Sequence, residues 1–375
     1  MRIVTAGESH GKCLVGIIEG FPAHVPLDRE QINYDLWRRQ QGYGRGPRMA
    51  IEKDEIIILG GVRGGLTLGS PIAFQIKNRD YENWQGYLDP WGPIKSGREV
   101  EQPRPGHADL AGAVKYGFRD IRNVIERSSA RETAVRVAVG SIAGQLLALF
   151  QIRAVSHVVS IGQVQLKERV SDFSALETAD ESVVRCVDPA VTEEMVQEIR
   201  RAEREGDSLG GIFEIRITGV PIGLGSYVHW DRKLDGKLAQ ALMSIQGIKG
   251  VEIGDGFQSA KNRGSQTHDP IFFSQEQGYY RLTNHCGGIE GGVSNGEDIV
   301  IRCAMKPIPT LTKPLETVNI RTKEPALAGV ERSDTCAVPA ASVVGEMVAL
   351  TVIAQEFLAV YGADTLEGIK KRWKS

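Results

Sequence analysis

The first residues with chemical potential lie in AGESHGKC, residues 6–13, directly after a short apolar run at the start of the chain. The final Gly-Lys pair of this stretch matches a nucleotide-binding P-loop, G-x-x-x-x-G-K-[ST]. However, Ala6 replaces the first glycine, and Cys13 replaces the hydroxyl that would hold Mg²⁺. His10 adds an imidazole that a nucleotide loop does not need. We therefore interpret the stretch as an anion-handling loop of a different kind.

Arginines are concentrated in a glycine-rich segment without acids, which contains Arg38, Arg39, Arg45 and Arg48. A planar guanidinium binds phosphate or carboxylate through two parallel hydrogen bonds, and this favours grouping several arginines around one anion. A solvated helix end followed by a basic loop would give the same pattern. The interleaved glycines favour a close approach of the backbone to a ligand.

A second basic cluster, RSSAR at residues 127–131, precedes a long apolar run. Ser129 and Glu132 have the spacing of a capping box, which predicts a helix that begins at Ser129. The N-terminus of a helix favours a bound anion, and Arg127 and Arg131 would add positive charge there. An ordinary capped helix with surface arginines is the alternative.

Two histidines lie in loops near these arginines. His107 belongs to RPGHADL at residues 104–110, where a Pro-Gly pair presents it from a turn, and His10 is similarly bounded by glycines. An imidazole beside a bound phosphate can act as a general acid near neutral pH. A structural histidine is the alternative at either position taken alone.

Three further segments contain possible binding residues: NHCGGIEGGVSNGED at residues 284–298, KPIPT at 306–310 and RSDTCAVPAA at 332–341. The glycines of the first segment would let the backbone approach a flat or phosphorylated ligand, although glycine-rich loops are often only turns. The segment does not match the dinucleotide pattern G-x-G-x-x-G.

Composition excludes several classes of protein. The 375 residues have a net charge of −2, which argues against a general binder of nucleic acid or of membrane surfaces. Five widely spaced cysteines predict neither a disulfide framework nor a zinc site, and they fit a cytoplasmic protein. No segment approaches the ~18 uninterrupted apolar residues of a membrane span. The sequence thus predicts a metal-free site for a multiply anionic small molecule, with a second phosphorylated ligand beside it.

The elements that must position these residues form an irregular series. Apolar patterns predict strands at residues 2–5, 56–59, 72–76, 154–165 and 212–218. Capping and periodicity predict helices at residues 28–40, 129–149, 192–205, 231–245 and 339–360. Because strands and helices do not alternate regularly, we expect one α+β domain over residues 1–375. The Pro-, Gly- and Trp-rich segment 78–106 predicts a long irregular connection, which in a compact domain is usually functional.

Nine stretches, in order along nearly the whole chain, resemble the chorismate synthase family. They are GESHG at 7–11, RRQQGYGRGPR at 38–48, GVRGGLTLGSPI at 61–72, RPGHADLAGAVKYG at 104–117, RSSARETA at 127–134, GDSLGG at 206–211, GIKGVEIGDGF at 247–257, NHCGGIEGGVSNG at 284–296 and RSDTCAVPAAS at 332–342.

The resemblance implies a fold, a reaction and a cofactor. The fold would be a single-domain β-α-β sandwich of antiparallel sheets with helices, assembled as a homotetramer. The reaction would convert 5-enolpyruvylshikimate 3-phosphate to chorismate, the last common step of the shikimate pathway towards the aromatic amino acids. In this 1,4-anti elimination a carbon–oxygen lyase expels phosphate from C3 and a hydrogen from C6. The family requires reduced FMN, although the reaction has no net redox change.

The resemblance also assigns residues by position. The substrate would be bound by Arg39, Arg45, Arg48, Arg131 and Arg332. His10 would protonate the departing phosphate, and His107 would keep the reduced flavin suitably protonated. Ser9 and Asp334 would relay the C6 proton. FMN would contact Arg127, Ser128, Ser129, Gln246, Gly247, Gly291, Lys306, Pro307, Ile308, Pro309, Thr310 and Arg332.

Two rival functions stay open at this point. An FMN oxidoreductase acting on a phosphorylated substrate would share the flavin and the arginines. A non-enzymatic module that binds anions or RNA would explain the arginines without either histidine. Within the lyase hypothesis, no motif decides whether the protein reduces its own FMN with NADPH or depends on an external flavin reductase.

Overall fold

The computed structural model describes residues 1–46, 51–331 and 333–374, so the predicted site residues Arg48 and Arg332 lie outside the described residues. In chain order the described strands are β1 (Arg2–Ala6), β2 (Cys13–Glu19), β3 (Ile56–Gly60), β4 (Val62–Arg63), β5 (Leu66–Thr67), β6 (Ile72–Lys77), β7 (Arg153–Ile161), β8 (Val164–Gln165), β9 (Gly211–Thr218), β10 (Ile248–Ile253), β11 (Ile271–Ser274), β12 (Gly278–Arg281), β13 (Ile289–Glu290), β14 (Val293–Ser294), β15 (Ile299–Met305), β16 (Glu316–Val318) and β17 (Pro325–Leu327).

The described α-helices are α1 (Arg29–Gln40), α2 (Asp109–Tyr116), α3 (Arg122–Ser128), α4 (Thr133–Ala148), α5 (Phe173–Glu177), α6 (Pro189–Glu205), α7 (Leu234–Met243), α8 (Gly264–Thr267), α9 (Val338–Tyr361) and α10 (Leu366–Lys374).

Two antiparallel sheets form the outer layers of the fold. The first has the strand order β1-β2-β6-β3, and the second has the order β10-β15-β9-β7-β8. In β2, Leu14, Gly16 and Ile18 are buried while the residues between them are more exposed, as expected for a sheet with one face on the core. The remaining strands pair in short two-stranded ladders outside these sheets.

A layer of apolar helices fills the space between the sheets. Helices α4 and α9 pack against each other, α4 also contacts β2 and β6, and α9 also contacts β7 and β9. Most residues of both helices are buried, as expected for helices that are apolar on all sides. The order sheet–helices–sheet confirms the β-α-β sandwich. The assignment of residues 1–375 to one domain stays a prediction.

Helix α9 is the one helix of the described chain that is long and apolar enough, by length and composition, to cross a membrane. However, 67% of its most apolar window is buried inside the protein. It also holds Glu346, whose carboxylate pairs with Arg38 at 2.9 Å in the interior. These features are those of a core helix.

The boundary predicted at Ser129 needs a correction. Helix α3 ends at Ser128, a 3₁₀ turn spans Ala130–Glu132, and the long apolar helix α4 begins only at Thr133. Ser129 does cap this turn, because its Oγ accepts the Arg131 N–H at 3.2 Å. The Glu132 carboxylate pairs with Arg136 at 3.1 Å instead of closing a capping box.

The segment between β6 and α2 is largely irregular, as predicted. Among its described residues, this segment contains one helical element, a 3₁₀ helix at Arg79–Trp84. Asp80 and Trp84, at the two ends of this short helix, are both buried.

Candidate active site

One cavity of about 700 Å³ collects residues from distant parts of the chain. Of the predicted catalytic and substrate-binding residues that the structure describes, all line it: Ser9, His10, Arg39, Arg45, His107, Arg131 and Asp334. Of the predicted FMN contacts, those that line it are Ser128, Ser129, Gln246, Gly247, Lys306, Pro307, Ile308, Pro309 and Thr310. A single concave space therefore holds both sets.

Two predicted FMN contacts lie away from this cavity. Arg127 donates hydrogen bonds to the Gly7 carbonyl at 3.0 Å and to Thr5 Oγ1 at 2.7 Å, and so ties α3 to the end of β1. Gly291 has a positive φ of 60° in the turn between β13 and β14. Neither residue is among those lining the cavity, so their assignment to the cofactor stays a prediction.

The helix dipole argument for the RSSAR segment is wrong for its first two residues. Arg127 and Ser128 lie at the C-terminal end of α3, where the helix macrodipole disfavours an anion. The Ser128 hydroxyl donates to the Val124 carbonyl at 2.8 Å. An anion beside these residues would have to be held by side chains rather than by a helix N-terminus.

Two buried arginines share one carboxylate beside the cavity. Arg131 pairs with Asp54 at 2.7 Å, and Arg39 Nη1 lies 3.5 Å from another oxygen of the same residue. The pKa of Arg39 is lowered to about 10, mainly by burial and also by the neighbouring Arg131 and Arg45, with Asp54 opposing the shift. Arg39 Nη1 is buried without a hydrogen-bond acceptor among the described residues. Arg131 also lies 3.6 Å from the buried Glu52 carboxylate. The feature suited to a bound anion is therefore the unsatisfied Nη1 donor of Arg39.

Asp334 organises the other basic edge of the cavity. Its carboxylate pairs with Arg45 at 3.1 Å and accepts the Gly46 N–H at 2.6 Å. A side chain at position 46 would have its Cβ 2.7 Å from the Ser333 carbonyl oxygen, so the two loops approach closely because Gly46 has no Cβ. Asp334 thereby fixes an arginine while its own carboxylate lines the cavity.

His10 is held on three sides. Its Nδ1 lies 2.9 Å from Glu126 Oε1, and its Nε2 lies 3.9 Å from Asp80 Oδ2. The ring stacks on Trp84 with 4.0 Å between the centroids and 21° between the planes. Only 12% of the His10 side chain is exposed. The imidazole thus has a fixed position at the cavity wall.

His107 belongs to a second pair of an imidazole and a carboxylate. Its Nδ1 makes a short hydrogen bond with Asp109, and Arg104 Nε donates to the same carboxylate at 2.8 Å. Burial alone would raise the pKa of Asp109, but the hydrogen bonds from His107 and Arg104 hold it well below its ordinary value. Arg104 also donates to Thr310 Oγ1 at 3.0 Å, which links His107 to the 306–310 segment.

The wall formed by Gln246, Gly247 and residues 306–310 combines backbone contacts with one orphaned polar atom. The Lys306 N–H donates to the Gly247 carbonyl at 2.9 Å, and Lys306 Nζ donates to the Gly106 carbonyl. Burial and the nearby Lys249 lower the pKa of Lys306. Gln246 Oε1 is buried and has no hydrogen-bond donor within the described residues, so it is available to a ligand donor.

Sequence reasoning missed several cavity-lining residues: Asp80, Trp84, Arg104, Arg122 and Glu331. It also missed Glu126, which binds His10 from α3. Trp84 lies in the irregular segment that the composition marked as functional, and Arg104 opens the RPGH stretch. Glu126 directly precedes RSSAR, but no local pattern relates it to His10, which lies 116 positions earlier.

Outside this cavity, three potential metal ligands come together among the described residues: Asp269, Cys286 and Glu290 have ligand atoms within 4.8 Å of one another. Each is already engaged. Asp269 accepts the backbone N–H groups of His285 and Cys286, at 2.9 and 3.0 Å, and Glu290 pairs with Arg281 at 2.6 Å. Burial and the neighbouring Asp269 raise the pKa of Cys286 to about 11, which keeps its thiol protonated.

Comparisons with known proteins agree over the whole chain. The family profile described as chorismate synthase matches residues 1–358. The chain is 67% identical over 374 residues to the chorismate synthase of Alkaliphilus metalliredigens, covering 100% of this chain and 98% of that protein. It is 56% identical over 372 residues to that of Moorella thermoacetica, covering 99% and 97%.

A solved structure described as a crystal structure of chorismate synthase is similar to the chain with a TM-score of 0.81 and 44% identity, covering 100% of this chain and 96% of that one. These findings support a carbon–oxygen lyase of aromatic amino acid biosynthesis. They do not support the oxidoreductase or the non-enzymatic binding module as alternatives. The chain belongs to the chorismate synthase family.

Proposed function

We propose that this protein performs its elimination in the cavity between Arg39, His10 and His107. The substrate would be 5-enolpyruvylshikimate 3-phosphate, which loses phosphate from C3 and a hydrogen from C6 to give chorismate. The observation that carries the proposal is the buried Arg39 Nη1, which lies 3.5 Å from Asp54 and has no hydrogen-bond acceptor among the described residues. A substrate with two carboxylates and a phosphate supplies such an acceptor.

The arginines would bind and orient the substrate. Arg39 and Arg131 are fixed by Asp54, and Arg45 is fixed by Asp334, so little conformational entropy is lost when an anion binds between them. Guanidinium groups bind carboxylates and phosphates bidentately. Arg48 and Arg332 are proposed to extend this set.

His10 would act as general acid at the leaving phosphate. As the bond from C3 to oxygen breaks, a proton from His10 Nε2 would pass to a phosphate oxygen and make phosphate a better leaving group. Acid catalysis of this kind typically contributes about 10²- to 10⁴-fold in rate. Ser9 and Asp334, both on the cavity wall, are proposed to carry the C6 proton away.

The residues present fit a flavin with a phosphate tail. The orphaned Gln246 Oε1 offers an acceptor to a ring N–H, and the proline-rich 306–310 segment offers a largely apolar wall. We propose that Ser128, Ser129, Gln246, Gly247 and residues 306–310 hold FMN, with Arg127, Gly291 and Arg332 as further predicted contacts. When bound and reduced, FMN supplies the electron density that assists cleavage of the bond to phosphate. His107, fixed by Asp109, would hold a proton beside it.

The assembly and its setting are also proposals. Family resemblance supports a homotetramer in the cytoplasm, and exposed apolar residues on the β11–β12 hairpin support an association surface: Phe273 and Tyr279 are 63% and 67% exposed.

Reduced FMN would come either from NADPH bound by this protein or from an external flavin reductase. Anaerobic incubation with oxidised FMN and NADPH, followed at the flavin absorbance, distinguishes the two.

Substitution of the two histidines tests their assigned roles. His10→Gln and His107→Gln should each lower kcat by about 10²- to 10⁴-fold, since each removes a proton-holding group. Circular dichroism and FMN binding should be unchanged. His229→Gln is the matched control, because the His229 side chain is 59% exposed, pairs with Asp231 and is not among the residues lining the cavity. Unchanged kcat in both cavity variants would contradict the assigned roles.

A further inference from the structure

Glu126 contacts both the backbone and the side chain of His10. Oε2 accepts the backbone N–H of His10 at 2.8 Å, and Oε1 lies 2.9 Å from Nδ1 of the same residue. The Glu126 carbonyl also accepts the Ser9 N–H at 2.8 Å. One residue of α3 thereby fixes both the backbone and the side chain of the loop.

We propose that Glu126 is the positioning residue of His10, fixing a proton on Nδ1 so that Nε2 is the nitrogen that exchanges a proton with the substrate. An ionised carboxylate only accepts hydrogen bonds, so the nitrogen facing it must carry a proton. Nε2 lies 3.9 Å from Asp80 Oδ2, which is beyond hydrogen-bond distance. The proposal rests on the role of His10 as general acid.

The proton balance follows directly. The imidazolium carries protons on both nitrogens; the Nε2 proton passes to the phosphate oxygen as the bond to C3 breaks. The Nδ1 proton stays in its hydrogen bond to Glu126, so the transfer leaves the neutral Nδ1–H form. Glu126 thus stabilises the form of His10 that the transfer produces, as the aspartate of a catalytic triad orients its histidine.

Trp84 restricts the remaining freedom of the ring. The indole stacks on His10 with centroids 4.0 Å apart, and the Arg98 guanidinium carbon also lies 4.0 Å from the indole centroid. The Arg122 guanidinium carbon lies 5.0 Å from the same centroid. Rotation of the imidazole away from Glu126 would break the stacking on Trp84 as well as the hydrogen bond.

The substitution Glu126→Gln disturbs the double contact with His10 while keeping the shape of the side chain. The amide has one acceptor and one donor end, while the geometry presents two N–H donors. Whichever way the amide lies, its NH₂ faces either the backbone N–H or Nδ1. We expect kcat to fall about 10²-fold or more with KM changed less than about threefold, since loss of the correct tautomer in a triad costs as much as ~10⁴-fold.

The control is Glu356→Gln, which removes the charge of another buried glutamate, one that pairs with Lys237 on α7. It should leave kcat unchanged. In the His10→Gln background, Glu126→Gln should cause no further loss, because a positioning residue acts only through its partner. A full additional loss there would overturn the proposal.

Nitrogen-15 NMR of histidine-labelled wild-type protein tests the tautomer without any variant. The His10 signals, assigned by their disappearance in His10→Gln, should show a proton on Nδ1 in the neutral ring. A proton on Nε2 alone would overturn the inference even if His10 proves to be the acid. If His10→Gln keeps full activity while the tautomer is as expected, the proposed role of His10 as general acid fails and the positioning of His10 by Glu126 stands.

Discussion

At the residue scale, the cavity pairs each of its two histidines with one buried acid. Glu126 holds His10, and Asp109 holds His107. Both acids are at most 4% exposed. A buried carboxylate is stable only where hydrogen-bond donors surround it, so each pair fixes its imidazole and is itself fixed in return.

The Asp109 cluster predicts a pH-dependent contribution to stability. The pKa of Asp109 is lower in the folded protein than in the unfolded chain, so its contribution is complete above the unfolded value, about 4, and is lost as pH falls through the folded value. Asp109→Asn should therefore lower the free energy of unfolding at pH 7 by about 3 kcal/mol, the usual cost of breaking a buried pair.

Denaturant titrations of the wild-type protein and Asp109→Asn at several pH values measure this contribution. The difference between the two proteins should shrink steadily below pH of about 4. A difference that stays constant from pH 7 to pH 3 would show that Asp109 stabilises the fold by packing rather than by charge.

At the element scale, the helical layer depends on a close approach between α4 and α9. A Cβ added at Gly140 would lie 2.2 Å from the Met347 carbonyl oxygen and 2.4 Å from Met347 Cβ. Such distances cannot be accommodated unless the two helices move apart. The close approach accordingly rests on the absence of a side chain at one position.

Gly140→Ala should lower the free energy of unfolding by about 1–3 kcal/mol, because overpacking displaces the neighbouring backbone. Gly236→Ala in α7 is the matched control. Its Cβ would meet nothing closer than Lys233 Cβ at 3.9 Å, so higher helix propensity should raise the free energy of unfolding by about 0.5–1 kcal/mol. Thermal denaturation compares the two. If Gly140→Ala does not lower the free energy of unfolding, the close contact between α4 and α9 is contradicted.

The elements themselves were largely predictable, because their signals are local. Asp28 caps α1, with its side chain accepting the Glu30 N–H, and the alternation in β2 follows from one buried face. The junction of α3 and α4 was predicted only in part. The capping signal at Ser129 is local, but α4 begins only at Thr133, after a 3₁₀ turn in which Arg131 bonds to Asp54 and Asn78.

Of the candidate site, the residues within family motifs were predictable and the residues that hold them in place were not. Family motifs identified the histidines and arginines, whereas residues that act through them have no local signal. Asp54 becomes important because it lies between Arg39 and Arg131, and Trp84 because it stacks on His10. These relations arise from tertiary contacts between segments far apart in the chain.

At the scale of the whole molecule, a protein of net charge −2 holds a locally basic cavity. Positive charge in the cavity is retained at the expense of burying arginines such as Arg39, which is 4% exposed. A bound anion should compensate the positive charge of these buried arginines. A ligand that binds only the folded state stabilises the folded state by about 2.7 kcal/mol at a concentration 100 times its Kd.

Binding of 5-enolpyruvylshikimate 3-phosphate should therefore raise the Tm of the wild-type protein by a few degrees, and the increase should be smaller at high salt. Arg39→Gln should abolish most of the increase. The control Arg63→Gln should keep it, because Arg63 is exposed on the β4–β5 hairpin. Equal increases in both variants would place the anion outside this cavity.

An anaerobic assay with 5-enolpyruvylshikimate 3-phosphate, with reduced FMN supplied or withheld, tests the central claim most directly. Our account predicts equal amounts of chorismate and phosphate, formed only with reduced FMN and without net oxidation of the flavin. Product formation without flavin, consumption of the reduced flavin in proportion to product, or no product from folded protein loaded with reduced FMN would each contradict it.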